Sequence, residues 1–203
     1  MKSGDQAWED RYSTDHYVYG TEPNDFLAQV VRALPTGRAL CLADGEGRNG
    51  VYLASLGYDV TSMDQTKAGI EKTMALAELR NVDLTAVVAD LAKYDLGEEK
   101  WDLIVSIFAH TAPDIRERVH AGVFAALAPG GHFILEAYTP DQVGRGTGGP
   151  PVAELTMTLA GLIEELHGLE ILEGRETIRP VIEGPAHNGE GAVVQVVAQR
   201  PDR

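Results

Sequence analysis

Three acidic residues stand where apolar runs of this 203-residue chain stop: Asp44 after Leu40-Cys-Leu-Ala43, Asp64 closing Tyr58-Asp-Val-Thr-Ser-Met-Asp64, and Asp90 closing Thr85-Ala-Val-Val-Ala-Asp90. Gly45-x-Gly47-x-x-Gly50 follows the first of them. Glycines let a backbone approach a ligand closely, and a helix beginning at such a turn offers unpaired N–H groups. An acid at the end of the next strand commonly accepts hydrogen bonds from two ribose hydroxyls. The glycine pattern alone recurs in many nucleotide-binding folds. Three strand ends, each with a polar group, define something narrower, an adenosine-shaped crevice.

The elements that must hold these residues follow from periodicity. Strands over 38–43, 58–64, 84–89, 101–107 and 131–138 alternate with helices over 47–57, 67–81 and 113–128, which implies a parallel sheet covered on both faces. In the last helix Ile115, Val119, Val123 and Leu127 recur every fourth residue, Thr111-x-x-Asp114 reads as a capping box and Pro113 suits the first turn. Pro129-Gly-Gly131 ends that helix and turns it into the fifth strand. The polar segment 93–100 is too short for more than a turn. Ahead of the sheet lie helices over 5–14 and 24–34. Behind it come a Gly/Pro-rich loop over 139–151, an amphipathic helix over 153–166, and strands over 169–181 and 192–199 joined by a loop over 183–191. Val193, Val194, Val196 and Val197 make a nearly continuous apolar run, as in a strand inserted between others.

Five motifs in order, Gly45-Glu-Gly-Arg-Asn49, Val60-Thr-Ser-Met-Asp64, Val87-Val-Ala-Asp90, Trp101-Asp-Leu-Ile-Val-Ser106 and Leu127-Ala-Pro-Gly-Gly131, resemble those of class I S-adenosylmethionine-dependent methyltransferases. Trp8-x-x-Arg11-Tyr12, Tyr19-Gly-Thr-Glu-Pro-Asn24, Ser106-Ile-Phe-Ala-His110 and Gly146-Thr-Gly-Gly-Pro-Pro151 narrow the resemblance to the tellurite-resistance and thiopurine S-methyltransferase-like branch of small bacterial enzymes. The resemblance implies an α/β, Rossmann-like, doubly wound sheet of about seven strands, mostly parallel with an antiparallel C-terminal strand. It also implies one domain over 1–203: a helical lid or arm over 1–36, a cofactor-binding core over 37–138, and a substrate loop, helix and C-terminal hairpin over 139–203. The closing hairpin is a feature of that fold which dehydrogenases normally lack.

By the same resemblance, Asp44, Gly45, Glu46 and Gly47 line the methionine half of S-adenosylmethionine, Asp64 takes the ribose with Gln65 beside the adenine, and Asp90 accepts from the adenine amino group with Leu91 on the ring face. Cys41 stands where the family's acid is usual and Ala43 where its first glycine is usual, so Asp44 becomes the candidate for the amino end of methionine. Asn49 either contacts the ligand or caps the turn; Arg48 either serves the site or pairs with a carboxylate. Ser106 and Ile107 border the crevice. Trp8, Tyr12 and Tyr19 either pin the arm or cover donor and substrate. His110, leaving the fourth strand, is placed to act as a general base or to orient substrate. Arg145, in the glycine-rich loop, is the favoured group for an anionic acceptor, with Arg179 and His187 as further candidates. Asp102, at the start of its strand, reads as structural. His16, His120, His132 and His167 have no partner at metal-ligand spacing, so no metal site is expected.

Lys and Arg number 17 against 31 Asp and Glu, a net charge of −14 that disfavours nucleic acid and anionic membranes as partners. One cysteine, Cys41, excludes an intrachain disulfide. With no secretion-like N-terminal run and no long apolar span, the expected location is the cytoplasm; the expected partner is a small-molecule acceptor, and nothing sets an oligomeric state. The leading expectation is methyl transfer from S-adenosylmethionine, leaving S-adenosylhomocysteine, onto a thiol or a sulfur, selenium or tellurium species. A NAD(P)-dependent oxidoreductase and a non-catalytic S-adenosylmethionine-binding protein are the alternatives.

Overall fold

Apolar residues that alternate along each central strand fill two opposite faces of one sheet. In the computed structural model, which describes residues 4–202 with side chains from Gln6 onward, strand β1 (Arg38–Leu42) sends Ala39 and Cys41 to one face and Leu40 and Leu42 to the other. Helices α2 (Asp25–Val31) and α3 (Arg48–Ser55) cover the first face through Phe26, Leu27, Val31 and Leu53. Helices α5 (Pro113–Ala126) and α6 (Leu159–Glu165) cover the second through Val119, Val123 and Leu162. Strands buried on both faces explain why these segments read as continuous apolar runs.

The remaining strands are β2 (Asp59–Asp64), β3 (Thr85–Val88), β4 (Trp101–Ile107), β5 (Leu127–Tyr138), β6 (Glu170–Ile182) and β7 (Asn188–Gln199). Their order is β3-β2-β1-β4-β5-β7-β6. The first five are parallel; β7 runs antiparallel to β5 and β6 on its two sides. Strand order reverses direction between β1 and β4, and the carboxyl edge at such a switch point is where ligands bind in doubly wound sheets.

Four local expectations are corrected. Ala112, not Thr111, caps α5, and no side chain bonds there, although Pro113 does open the helix. The helix stops at Ala126 because Leu127 is already extended and paired with Trp101; Pro129-Gly-Gly131 forms a bulge inside β5, whose register resumes at His132 opposite Leu103. Residues 153–166 are not one helix: a 3-10 turn (Ala153–Leu155) is followed by extended chain, where the Met157 N–H donates to the Tyr138 carbonyl, and Thr158 caps α6 afresh. β7 begins four residues earlier than expected, at Asn188, which shortens the β6–β7 turn to residues 183–187. Helices α1 (Gly4–Tyr12) and α4 (Lys67–Arg80) complete the chain. Among the described residues no helix is long and apolar enough to cross a membrane.

Candidate functional site

The glycine turn after β1 is shaped by what lies beneath it. Gly47 opens α3 with φ +84°, and a Cβ there would lie 2.5 Å from the Thr73 side chain on α4. Asp44 closes the turn by accepting the Gly50 N–H at 3.0 Å and the Ser62 hydroxyl at 2.7 Å, both on Oδ2; among the described residues none donates to Oδ1. Burial outweighs these donors and pushes its carboxyl up to about 6. Asp64 accepts the Gly45 N–H on Oδ2 and the Thr66 N–H and hydroxyl on Oδ1, so one carboxylate fixes both the glycine turn and the start of α4. Ala43 and Phe108, the residues just beyond β1 and β4, both have positive φ, +47° and +54°. Such values are uncommon outside glycine and cluster at functional sites.

Helix α1 lies over this edge. Glu9 accepts the Lys67 and Ala68 N–H groups at 2.9 and 3.1 Å, fastening α1 to the N-terminus of α4. Trp8, Tyr12 and Tyr19 pack ring against ring, and Arg11 sits over Trp8 while donating to the Tyr19 hydroxyl. Tyr12 is buried, and a Cβ on Gly45 would reach its hydroxyl within 2.7 Å. Glu46 borders the crevice but its oxygens are engaged by the arm and α4: Oε2 accepts the Val18 and Tyr19 N–H groups and Oε1 pairs with Lys72 at 2.7 Å. Asn49 accepts the Asn24 N–H, leaving Nδ2 without an acceptor among the described residues, and Arg48 pairs with Glu183 at 2.5 Å. Arg48 thus pairs with a carboxylate while also bordering the cavity.

The expectation that His110 acts as a general base is revised by geometry. His110 Nδ1 lies 2.7 Å from the Leu155 carbonyl and Nε2 accepts the Tyr138 N–H at 3.2 Å, which fixes the tautomer with the proton on Nδ1. Burial holds this imidazole at about 4, well below its ordinary value. Both ring nitrogens are committed, so His110 has no lone pair with which to act as a base. Arg145 is exposed and donates to the Asp141 carbonyl, outside the cavity. Arg179 is taken up in a buried network in which it donates to Glu136 and Glu183, with Asn24 and Gln195 donating to the same carboxylates. His187, in the β6–β7 turn, lines the cavity.

At the switch point these groups enclose a cavity of about 510 Å³, bordered by Asp44, Gly45, Glu46, Arg48, Asn49 and Ile107 on the sheet side and by Trp8, Tyr12 and Tyr19 on the arm side. A smaller chamber of about 110 Å³ adjoins it, bordered by Asp64, Gln65, Asp90 and Leu91. Trp8, Tyr12, Ala43, Phe108 and His110 border both. Gly47 lies beneath the turn and Ser106 is buried within β4; neither borders a chamber. Asp90 also accepts the Ala92 N–H, so it shapes its own turn. Asp102 pairs with Arg38 and accepts its N–H, the structural role its position suggested. Among the described residues no group of three or more His, Cys, Asp or Glu side chains is placed to hold a metal ion. Among the lining residues that the sequence did not assign to the site are Arg11, Phe108 and Leu155; the positive φ of Phe108 has no signature in its residue type.

Residues 7–141 match the family of the tellurite resistance protein TehB. The chain belongs to that family. A probable S-adenosyl-L-methionine-dependent methyltransferase TehB of Haemophilus influenzae (strain 10810) is 36% identical over 80 residues, 39% of this chain and 28% of that relative's length. The crystal structure of TehB from Haemophilus influenzae superposes with a TM-score of 0.73 at 20% identity, over 97% of this chain and 66% of that one. The N-methyltransferase NodS from Bradyrhizobium japonicum WM9, in complex with S-adenosylhomocysteine, superposes with a TM-score of 0.74 at 16% identity, over 98% of this chain and all (100%) of the other. The fold of this TehB family member is thus that of Rossmann-like methyltransferases, with the antiparallel β7 inserted between β5 and β6.

Proposed function

We propose that this TehB family member transfers a methyl group from S-adenosylmethionine to a small acceptor, a thiol or another sulfur, selenium or tellurium species. The observation that carries the reading is the placement of Asp44, Asp64 and Asp90, from three successive strand ends, around adjoining chambers at the switch point. The residues fit such a donor. Among the described residues Asp44 keeps one carboxylate oxygen free of donors for an ammonium group, Asp64 and Asp90 border the smaller chamber with Leu91 as an apolar floor, and a Cβ on Gly45 would fill the space that the turn leaves against Tyr12. Bound there, S-adenosylmethionine supplies an electrophilic methyl carbon.

The chain's own work is alignment and exclusion of water, which is what an in-line displacement asks of a protein. Asp64 and the Gly45 backbone it anchors orient the ribose, Asp44 holds the amino end, Arg11 offers its remaining guanidinium donors to a carboxylate, and Trp8 and Tyr12 close the crevice above. With both His110 nitrogens committed, acceptors that ionise readily fit this site better than alcohols or amides that need a strong base. The reading is tested by incubating the purified protein with methyl-labelled S-adenosylmethionine and a panel of small thiols, selenite and tellurite, then following label by mass spectrometry. Labelled, volatile or organic-soluble product with at least one acceptor is expected; S-adenosylmethionine left intact across the panel would overturn it.

A further inference from the structure

His187 is 6% exposed, yet it borders the larger chamber, and among the described residues its side chain has no hydrogen-bond partner. Its Nδ1 is sealed, whereas Nε2 is not among the sealed atoms and is the nitrogen left for a ligand in the chamber. Nothing about the ring is loose. Tyr19 at 4.6 Å, Phe108 at 4.8 Å and Tyr138 at 5.4 Å between centroids hold its plane from three sides. The glycine loop closes beside it: a Cβ on Gly148 would lie 2.9 Å from the His187 ring and 2.7 Å from the Ala186 carbonyl. A buried, fixed imidazole with an unused nitrogen stands out because buried polar groups are otherwise almost always paired.

We infer that His187 is the residue that recognises the methyl acceptor, donating its Nε2 proton to a hydrogen-bond-accepting atom adjacent to the nucleophile. The inference rests on the methyl-transfer reading above. The tautomer follows from the environment: a sealed N–H without an acceptor is rarer than a sealed lone pair, so the proton belongs on Nε2. The groups around the ring are Arg48, Glu183, His110 and Arg179 with the hydroxyls of Tyr19 and Tyr138; burial first, and then the Arg48 charge, hold His187 at about 3, neutral throughout the physiological range. It is therefore a donor and not a base. Tyr19, Phe108, Pro150 and Leu155 give this chamber, beside its charged groups, apolar walls that suit a flat acceptor with a polar edge. In the displacement an acceptor lone pair forms the bond to the methyl carbon while the carbon–sulfur bond breaks and its electron pair returns to sulfur. Any proton on the acceptor leaves to solvent beforehand.

The probe is 2-mercaptopyridine, whose ring nitrogen sits beside its sulfur. Initial rates are measured for the wild-type protein, for His187→Phe, which keeps an aromatic ring but has no N–H, and for His187→Gln, which keeps a donor. S-adenosylhomocysteine affinity is measured by calorimetry on all three. His187→Phe is expected to raise the acceptor KM at least tenfold with donor affinity within twofold of wild type, His187→Gln to recover part of that loss, and the wild-type rate to show no His187 inflection between pH 6 and 8. Unchanged acceptor KM in His187→Phe, a parallel loss of donor affinity, or no methylation of the probe by wild-type protein that binds S-adenosylhomocysteine would overturn the inference. Failure of wild-type protein to bind S-adenosylhomocysteine would instead remove the methyl-transfer reading on which it stands.

Discussion

Asp44 is a carboxylate held at about 6 by burial, against the pull of its own hydrogen bonds. Its folded value lies above the ordinary carboxylate range, so the folded protein holds this proton more tightly than the unfolded chain and ionisation costs stability as pH rises through about 6. An ammonium group placed on Oδ1 offsets that cost only when Asp44 is ionised. Donor affinity is therefore predicted to be flat above about pH 7 and to fall by roughly tenfold per pH unit below 6, measured by calorimetric titration from pH 5 to 8; Asp44→Asn should bind weakly and without this dependence. An affinity in the wild type that ignores pH across that range would remove Asp44 from the amino end. His110 and His187, held at about 4 and about 3, stay neutral through most of this window and do not imitate the effect. At this scale the sequence was readable where placement depends on position along a strand: Asp44, Asp64 and Asp90 border the adjoining chambers. It was not readable where the role depends on what a remote backbone atom does. His110 is committed by a carbonyl 45 residues away and Glu46 by the arm's N–H groups, neither of which leaves a mark on local residue type.

Elements join around the site through a few charged contacts. The arm is held at three places by the turn after β1 and by α4: Glu9 on the first N–H groups of α4, Glu46 on Val18 and Tyr19, and Lys72 bridging Glu46 to the His16 carbonyl. Replacing Glu46 by Gln weakens two of these together. Faster amide exchange at Val18 and Tyr19 is expected, with a loss of donor affinity of about 1.5–3 kcal/mol, the scale for a hydrogen bond to a charged group; unchanged exchange would mean that the arm is held elsewhere. On the opposite face Glu165 of α6 pairs with Arg116 and His120 of α5 at 2.8 and 2.6 Å. Burial works to raise its carboxyl, but the hydrogen bonds and charges of His120 and Arg116 prevail and hold it at about 2. A depressed carboxylate contributes its stability fully above the unfolded value and loses it as pH falls through the folded one. Glu165→Gln should therefore lower unfolding stability by about 2 kcal/mol at pH 7, and by progressively less from about pH 4.5 down to pH 2, in urea titrations; an equal deficit at pH 7 and pH 2.5 would contradict the pairing. Strand and helix order was legible because periods of two and four repeat along the chain. The break at Thr156 was hidden because Leu155, Leu159 and Leu162 keep helical spacing across it, whereas the Met157 N–H is drawn to the Tyr138 carbonyl by tertiary packing.

On the scale of the whole molecule, the switch point between β1 and β4 collects what separate segments contribute: the arm, the β1 turn, the ends of β2, β3 and β4, the glycine-rich loop and the β6–β7 turn. The buried network of Glu136, Glu183, Arg179, Arg48 and Asn24 ties the last of these to the first, so the closing hairpin helps to place the arm over the cavity. That long-range closure is the part of the architecture that pattern reading could not supply, since Asn24 and Glu183 are 159 residues apart. The central claim is that this assembled cavity holds the nucleoside and amino acid ends of a methyl donor. It is tested most directly by calorimetric titration of the intact protein with S-adenosylhomocysteine, which retains both ends and does not react. A single site with micromolar affinity, about −8 kcal/mol, is predicted. No heat and no thermal-shift response at millimolar ligand would contradict the account.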